Sequence, residues 1–138
     1  MFKFVESDSF KISLLDNQWK QLSNMEKISN ALKDNNTIAF DVYKNHLLVG
    51  FILLKTYDNG YFLWDYAIDY KYQGLGYGQL ILEKLIDILK NEYKAKWIST
   101  TYKYGNDIAK HIYKKIGFIQ TSIVNENNIH EVNMLLKL

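Results

Sequence analysis

Apolar and polar positions along the chain change period several times, and each change marks an element boundary. Phe2 to Leu15 reads as an early strand with a polar interruption. From Gln18 to Lys33, Trp19, Leu22, Met25, Ile28 and Leu32 recur near every 3.6 residues, which predicts one or two helices. Asn35-Asn36 stops that pattern, and the period falls to two. Thr37–Tyr43, Leu47–Thr56 and Tyr61–Asp69 read as three strands, joined by tight turns at Lys44-Asn45-His46 and Asp58-Asn59-Gly60. Together they form an antiparallel meander. A glycine-rich loop, Gln73 to Gly78, leads into a predicted helix over Gln79–Asn91. Its face Ile81, Leu82, Leu85, Ile86, Leu89 opposes Glu83, Lys84, Asp87 and Lys90. Then come a strand at Trp97–Tyr102, a helix at Asn106–Lys115, a strand at Phe118–Val124, a turn at Asn125–Asn128 and a last strand at Ile129–Leu138. This order predicts an α/β (α+β) fold with a mixed sheet covered by helices.

Composition narrows the chemistry. The 138 residues suit a single domain, 1–138, large enough for a core and one cleft. A formal charge of +2, with lysines scattered, gives no argument for nucleic acid. All 17 basic residues are Lys, so a phosphate site must use backbone N–H groups, helix ends or Lys. The absence of Cys excludes disulfides, thiolate metal sites and Cys nucleophiles. His46, His111 and His130 match no metal-site spacing, and no metal is expected. The longest apolar run, Leu47 to Leu54, falls short of a membrane span, and the charged start, Met1 to Phe10, does not read as a signal peptide. The expectation is a soluble cytoplasmic protein without membrane contact.

Tyr72-Gln73-Gly74-Leu75-Gly76-Tyr77-Gly78 lies between a strand and an amphipathic helix. Helix N-terminal N–H groups lack internal partners, and glycine lets the backbone approach an anion. Two readings stand: a glycine hinge, or a phosphate cradle. The dinucleotide fingerprint fails in register because Gln79 stands where its third glycine belongs, and no Gly-Lys-Ser/Thr follows for a P-loop.

Gln73-Gly74-Leu75-Gly76-Tyr77-Gly78 fits Q/R-x-x-G-x-G/A, and Asn106, Ala109, Tyr113, Gly117 and Phe118 stand at N-x-x-A-x-x-x-Y-x-x-x-G-F. On these two motifs, in correct order, the chain resembles the GNAT acetyltransferases from about Thr37 to its end. The resemblance implies a sheet of about six to seven mostly antiparallel strands flanked by about four helices. It implies acetyl-CoA as co-substrate, its pyrophosphate on Gln73, Gly74, Leu75, Gly76, Tyr77, Gly78 and Gln79. The pantetheine arm would pair with Tyr66, Ala67 and Ile68, Asn106 and Ala109 would lie along it, and Tyr113 would act as general acid. No Pro follows Asp69 and no Arg lies near the loop, unlike most members.

Transfer to an amine needs proton removal first, since a free alkylamine has a pKa of about 10.4. Asp65 is the best carboxylate for that. It interrupts Phe62-Leu63-Trp64-Asp65-Tyr66-Ala67-Ile68, and a buried unpaired carboxylate needs a reason. The competing reading is an edge position facing solvent or a pairing Lys. Tyr113 likewise reads either as a core tyrosine or as the acid. The surrounding residues most resemble diamine (spermine/spermidine) acetyltransferases, which carry an acidic pair where this chain has Trp64 and Asp65. The implied acceptor is the primary amine of a small molecule, a polyamine or diamine; the alternatives are a protein Lys or N-terminus, or a non-catalytic acyl-CoA-binding regulatory module. Asp41, Asp58 and Glu131 are further acids for a cationic substrate. Relatives that pair through their last strands imply a homodimer through Ile129–Leu138.

Overall fold

The computed structural model describes residues 1–20 and 22–138. Seven strands form one sheet: β1 (Phe2–Glu6), β2 (Thr37–Lys44), β3 (Leu47–Thr56), β4 (Gly60–Ile68), β5 (Trp97–Lys103), β6 (Ile119–Glu126) and β7 (Ile129–Lys137). Their order is β1-β2-β3-β4-β5-β7-β6. Every neighbouring pair is antiparallel except β4 and β5. The helices are α1 (Asp16–Trp19), α2 (Met25–Leu32), α3 (Tyr77–Asn91) and α4 (Asp107–Ile116). Among the described residues no helix is long and apolar enough to cross a membrane.

The apolar run in β3 reflects cover on both faces of the sheet. Phe40, Val42, Ile52, Leu54 and Leu63 pack with Ile81, Leu82, Leu85 and Leu89 of α3 and with Tyr113 of α4. Ala39, Phe51, Leu53 and Ala67 pack with Ile12, Ile28 and Ala31. The tight turns at Asn45-His46 and Asn127-Asn128 have positive φ at both positions, the conformation a two-residue hairpin demands.

Several boundaries move. The early strand stops at Glu6, because Ser7-Asp8-Ser9 offers no apolar side chain to the sheet. The stretch after it is a strap held by buried acids. Lys11 Nζ meets Asp41 Oδ2 at 2.8 Å, and the Ser13 N–H donates to Asp69 Oδ2 at 2.9 Å. The Gln18–Lys33 pattern resolves into two helices. Asn24 caps the second by accepting from the Lys27 N–H at 2.9 Å, and position 21 lies outside the described residues. Helix α3 starts at Tyr77, two residues before the predicted Gln79.

The feature that makes a site is a split in the sheet. β4 and β5 pair only from Gly60–Leu63 to Trp97–Thr100. Opposite β3, Leu54 pairs with Leu63 and Leu53 with Asp65, so Trp64 is an extra, bulged residue. A bulge bends its strand and ends pairing. Beyond it β4 leaves β5, and the gap opens into a cleft.

Candidate active site

The cleft has a volume of about 1540 Å³. That exceeds the roughly 300–1,000 Å³ of a drug-sized pocket and leaves room for two reactants. β4 supplies one wall from Phe62 to Ile68, and Thr100 to Lys103 of β5 the other. The loop before α3, the start of α4 and the α1–α2 segment close it.

The free edge of β4 is a row of backbone groups with a definite phase. The Asp69 N–H donates to the Val49 carbonyl at 2.8 Å, toward β3. Strand alternation therefore turns the backbone groups of Ile68 and Tyr66 to the open side. Ala67 directs its own toward β3, so of the three predicted pairing residues it contributes wall rather than hydrogen bonds.

The glycine loop lines the cleft at Gly74, Gly76 and Gly78. Gly74 and Gly76 hold φ of +77° and +79°, and a Cβ built on either meets nothing within 4 Å. Positive φ, rather than crowding, requires glycine there. Gly76 is the N-cap of α3 and supplies no side chain, so the first-turn N–H groups of Tyr77, Gly78 and Gln79 face the cleft without a side-chain cap. Two predicted loop residues play other parts. Gln73 uses its side chain as a clamp, accepting from Gln18 Nε2 at 2.7 Å and donating to the Ile68 carbonyl at 2.8 Å. The Leu75 side chain is exposed and stands off the cleft wall.

The second motif has a local physical reason. Asn106 Oδ1 accepts from the Ala109 N–H at 3.2 Å and starts α4, and both residues line the cleft. Gly117, at φ +121°, ends the helix, and the Phe118 N–H returns to the Tyr113 carbonyl at 2.9 Å. Phe118 then packs on the Tyr113 ring at 5.4 Å, with Tyr102 at 6.3 Å. This fixes Tyr113 in the cleft wall. Burial pushes its phenol pKa up, and the Thr100 hydroxyl beside it opposes that rise. At neutral pH Tyr113 therefore carries its proton.

Asp65 is 3% exposed, which removes the solvent-facing reading. Oδ1 accepts from the Ser23 N–H at 2.9 Å, while Oδ2 is buried with no hydrogen-bond partner among the described residues. Burial raises its pKa above the ordinary carboxylate range, and the Ser23 bonds and the Lys103 charge pull it back only in part. Alternation puts Asp65 on the α1–α2 face of β4 and Tyr66 on the α3–α4 face.

Of the other acids, Glu131 lines the cleft, whereas Asp41 and Asp58 do not. Asp41 is a strut for the strap, and Asp58 sits in the turn before β4. Ser23 and Thr100 escaped the sequence reading, since a serine before a helix cap and a threonine in a strand carry no distinctive signal. No group of three metal-ligating side chains forms among the described residues.

Residues 5–118 match the acetyltransferase (GNAT) family. The chain is 35% identical over 101 residues to an uncharacterized N-acetyltransferase, ycf52, of Pyropia yezoensis, covering 70% of this chain and 55% of that protein. It is 33% identical over 81 residues to the [ribosomal protein bS18]-alanine N-acetyltransferase of Haemophilus influenzae, covering 58% and 53%. The chain thus spans about half the length of these curated relatives. A GNAT family acetyltransferase from Elizabethkingia anophelis, solved with acetyl-CoA bound, shares the fold at a TM-score of 0.76 and 17% identity, over 99% of this chain and 98% of that one.

Proposed function

The chain belongs to the GNAT acetyltransferase family, and we propose that it moves an acetyl group from acetyl-CoA to a primary amine held beside Asp65. The observation that carries this reading is that Asp65 of the bulged strand β4, with one buried oxygen lacking a partner among the described residues, and the buried phenol of Tyr113 of α4 line one cleft. The residues fit the co-substrate. Two open glycines, an uncapped helix start and the open-side backbone of Tyr66, with the N–H of Ile68 beside its Gln73-bound carbonyl, suit an anion followed by an extended amide chain.

Acetyl-CoA, when bound, supplies the acetyl thioester that a neutral amine attacks. Asp65 Oδ2 is positioned to take the proton the acceptor ammonium must lose, directly or through one water. Its raised pKa brings it closer to the working pH than an exposed aspartate. Tyr113 gives its proton to the leaving thiolate, whose parent thiol resembles Cys with a pKa of about 8.5. The Thr100 hydroxyl, which donates to the Leu63 carbonyl at 3.1 Å, lies beside that phenol.

For the acceptor, we favour a small diamine or polyamine. Asp34, Asp65 and Glu131 line the cleft and offer carboxylates to its cationic nitrogens. A second reading, the N-terminal amine of a protein, is favoured by Lys27 and Lys103, which also line the cleft and oppose a long polycation. The experiment is CoA release from acetyl-CoA with putrescine, spermidine, spermine and an Ala-initiated peptide in turn. Turnover confined to the polyamines, and lost in Tyr113→Phe, is the expected result. Turnover with the peptide alone moves the assignment to a protein acceptor, and full activity of Tyr113→Phe removes the phenol from the mechanism.

A further inference from the structure

Next to the proposed base stands a group that the mechanism above does not use. Tyr66 follows Asp65 on β4 and turns its side chain to the opposite face. Its hydroxyl is fully buried and has no hydrogen-bond partner among the described residues. A buried hydroxyl left unpaired costs about 1–3 kcal/mol, so such a group needs a partner that arrives only in some state of the protein. The side chain lines the cleft together with Gly78, Ile112 and Tyr113. A Cβ built on Gly78 comes within 3.2 Å of the Tyr66 Oη and 3.6 Å of Ile112 Cδ1, so the phenol lies where the first turn of α3 meets α4. Ile112 immediately precedes Tyr113, and Tyr66 packs against the core cluster to which Tyr113 belongs. The two phenols also sense each other's charge.

We propose that Tyr66 is a positioning residue for Tyr113: its O–H donates, directly or through one bound water, to the phenolate that Tyr113 becomes on giving up its proton. This inference rests on Tyr113 as the acid of the transfer. The proton balance is simple. Tyr113 loses its proton to the leaving sulfur, Tyr66 keeps its own while sharing it in a hydrogen bond, and solvent restores the proton of Tyr113 after the products leave. Before transfer the Tyr113 oxygen is neutral and makes little demand on a second donor. After transfer it is a buried anion, and the hydroxyl beside it, that of Thr100, donates to the Leu63 carbonyl at 3.1 Å. A donor such as the Tyr66 hydroxyl strengthens Tyr113 as an acid at the moment charge develops, which is the condition for accelerating a step rather than tightening binding. Gly78 permits the arrangement because any side chain there presses on the Tyr66 oxygen.

The test is a double-mutant cycle on the intact chain, reading CoA release and its pH profile for wild type, Tyr66→Phe, Tyr113→Phe and the double variant. Tyr66→Phe is expected to lower kcat on the order of 10-fold, the size of a hydrogen bond to a charged group, with KM for acetyl-CoA little changed. The alkaline limb of its kcat profile is expected to move to higher pH, since a phenolate with one donor fewer holds its proton more tightly. In the Tyr113→Phe background, Tyr66→Phe is expected to cost nothing more. If Tyr113→Phe is impaired while Tyr66→Phe is not, or if the two losses multiply, Tyr66 serves packing and the proposal is overturned. If Tyr113→Phe keeps full activity, the reading of Tyr113 as acid fails first and takes this inference with it. A thermal melt of Tyr66→Phe separates misfolding from these outcomes, and Tyr66→Leu, which removes the ring as well, shows what a pure packing loss looks like.

Discussion

Replacing Asp65 by Asn separates a carboxylate kept for chemistry from one kept for structure. Asn is nearly isosteric and can still accept from the Ser23 N–H, so the hydrogen bond at 2.9 Å survives. What changes is the charge. Burial raises the folded pKa of Asp65 above the 3.8 of a free aspartate, so the folded state binds this proton more tightly than the unfolded chain does. The stabilisation from the protonated form is complete below pH 3.8 and is lost as pH rises through the raised folded value. At neutral pH the ionised group therefore weakens the fold, by about 1.4 kcal/mol for each unit by which its pKa is raised. Asp65→Asn removes that penalty. A thermal melt at pH 7 is expected to show a Tm equal to or above wild type, and the gap is expected to close below pH 4. Turnover is expected to fall by about 10²–10⁴, the usual contribution of a general base. In wild type the acid limb of kcat/KM is expected above the ordinary aspartate range. A variant that melts earlier yet keeps its turnover refutes the reasoning, and would make Asp65 a strut like Asp41 and Asp69.

Two further predictions concern glycines. Gly76→Ala meets no neighbour but must hold φ +79°, which costs about 1–2 kcal/mol for an L residue, and it is expected to raise KM for acetyl-CoA. Gly76→Asn, which tolerates that conformation, is expected to recover much of the loss in the same assay. Gly60→Ala would bring a Cβ to 2.2 Å from the Trp97 ring, an overpacking expected to cost about 1–3 kcal/mol in a denaturant titration without changing KM. An unchanged denaturation midpoint would show that Trp97 can move aside.

The elements and the two motifs follow from local sequence. Periods of two and 3.6 are local consequences of strand and helix geometry, so the meander, α3 and α4 were legible from apolar spacing. The glycines at 74, 76 and 117 were legible for a similar reason, because positive φ is a demand of the backbone on its own residue. Which acids belong to the site depends on contacts made in the folded chain. Asp41, Asp65 and Asp69 look alike in sequence, and all three are buried. Asp41 and Asp69 tie down the strap away from the cleft, Asp41 with one oxygen left unpartnered, while Asp65 keeps its unpartnered oxygen at the split of the sheet. That difference depends on contacts between residues up to 56 positions apart, as between Ser13 and Asp69. The bulge at Trp64 is likewise a property of the β3–β4 register. The same holds for the unpartnered Tyr66 hydroxyl, which exists only because α3 and α4 close over it. Spacing along a chain reports what each residue asks of its own backbone, but a free oxygen in a cleft is defined by everything that fails to reach it.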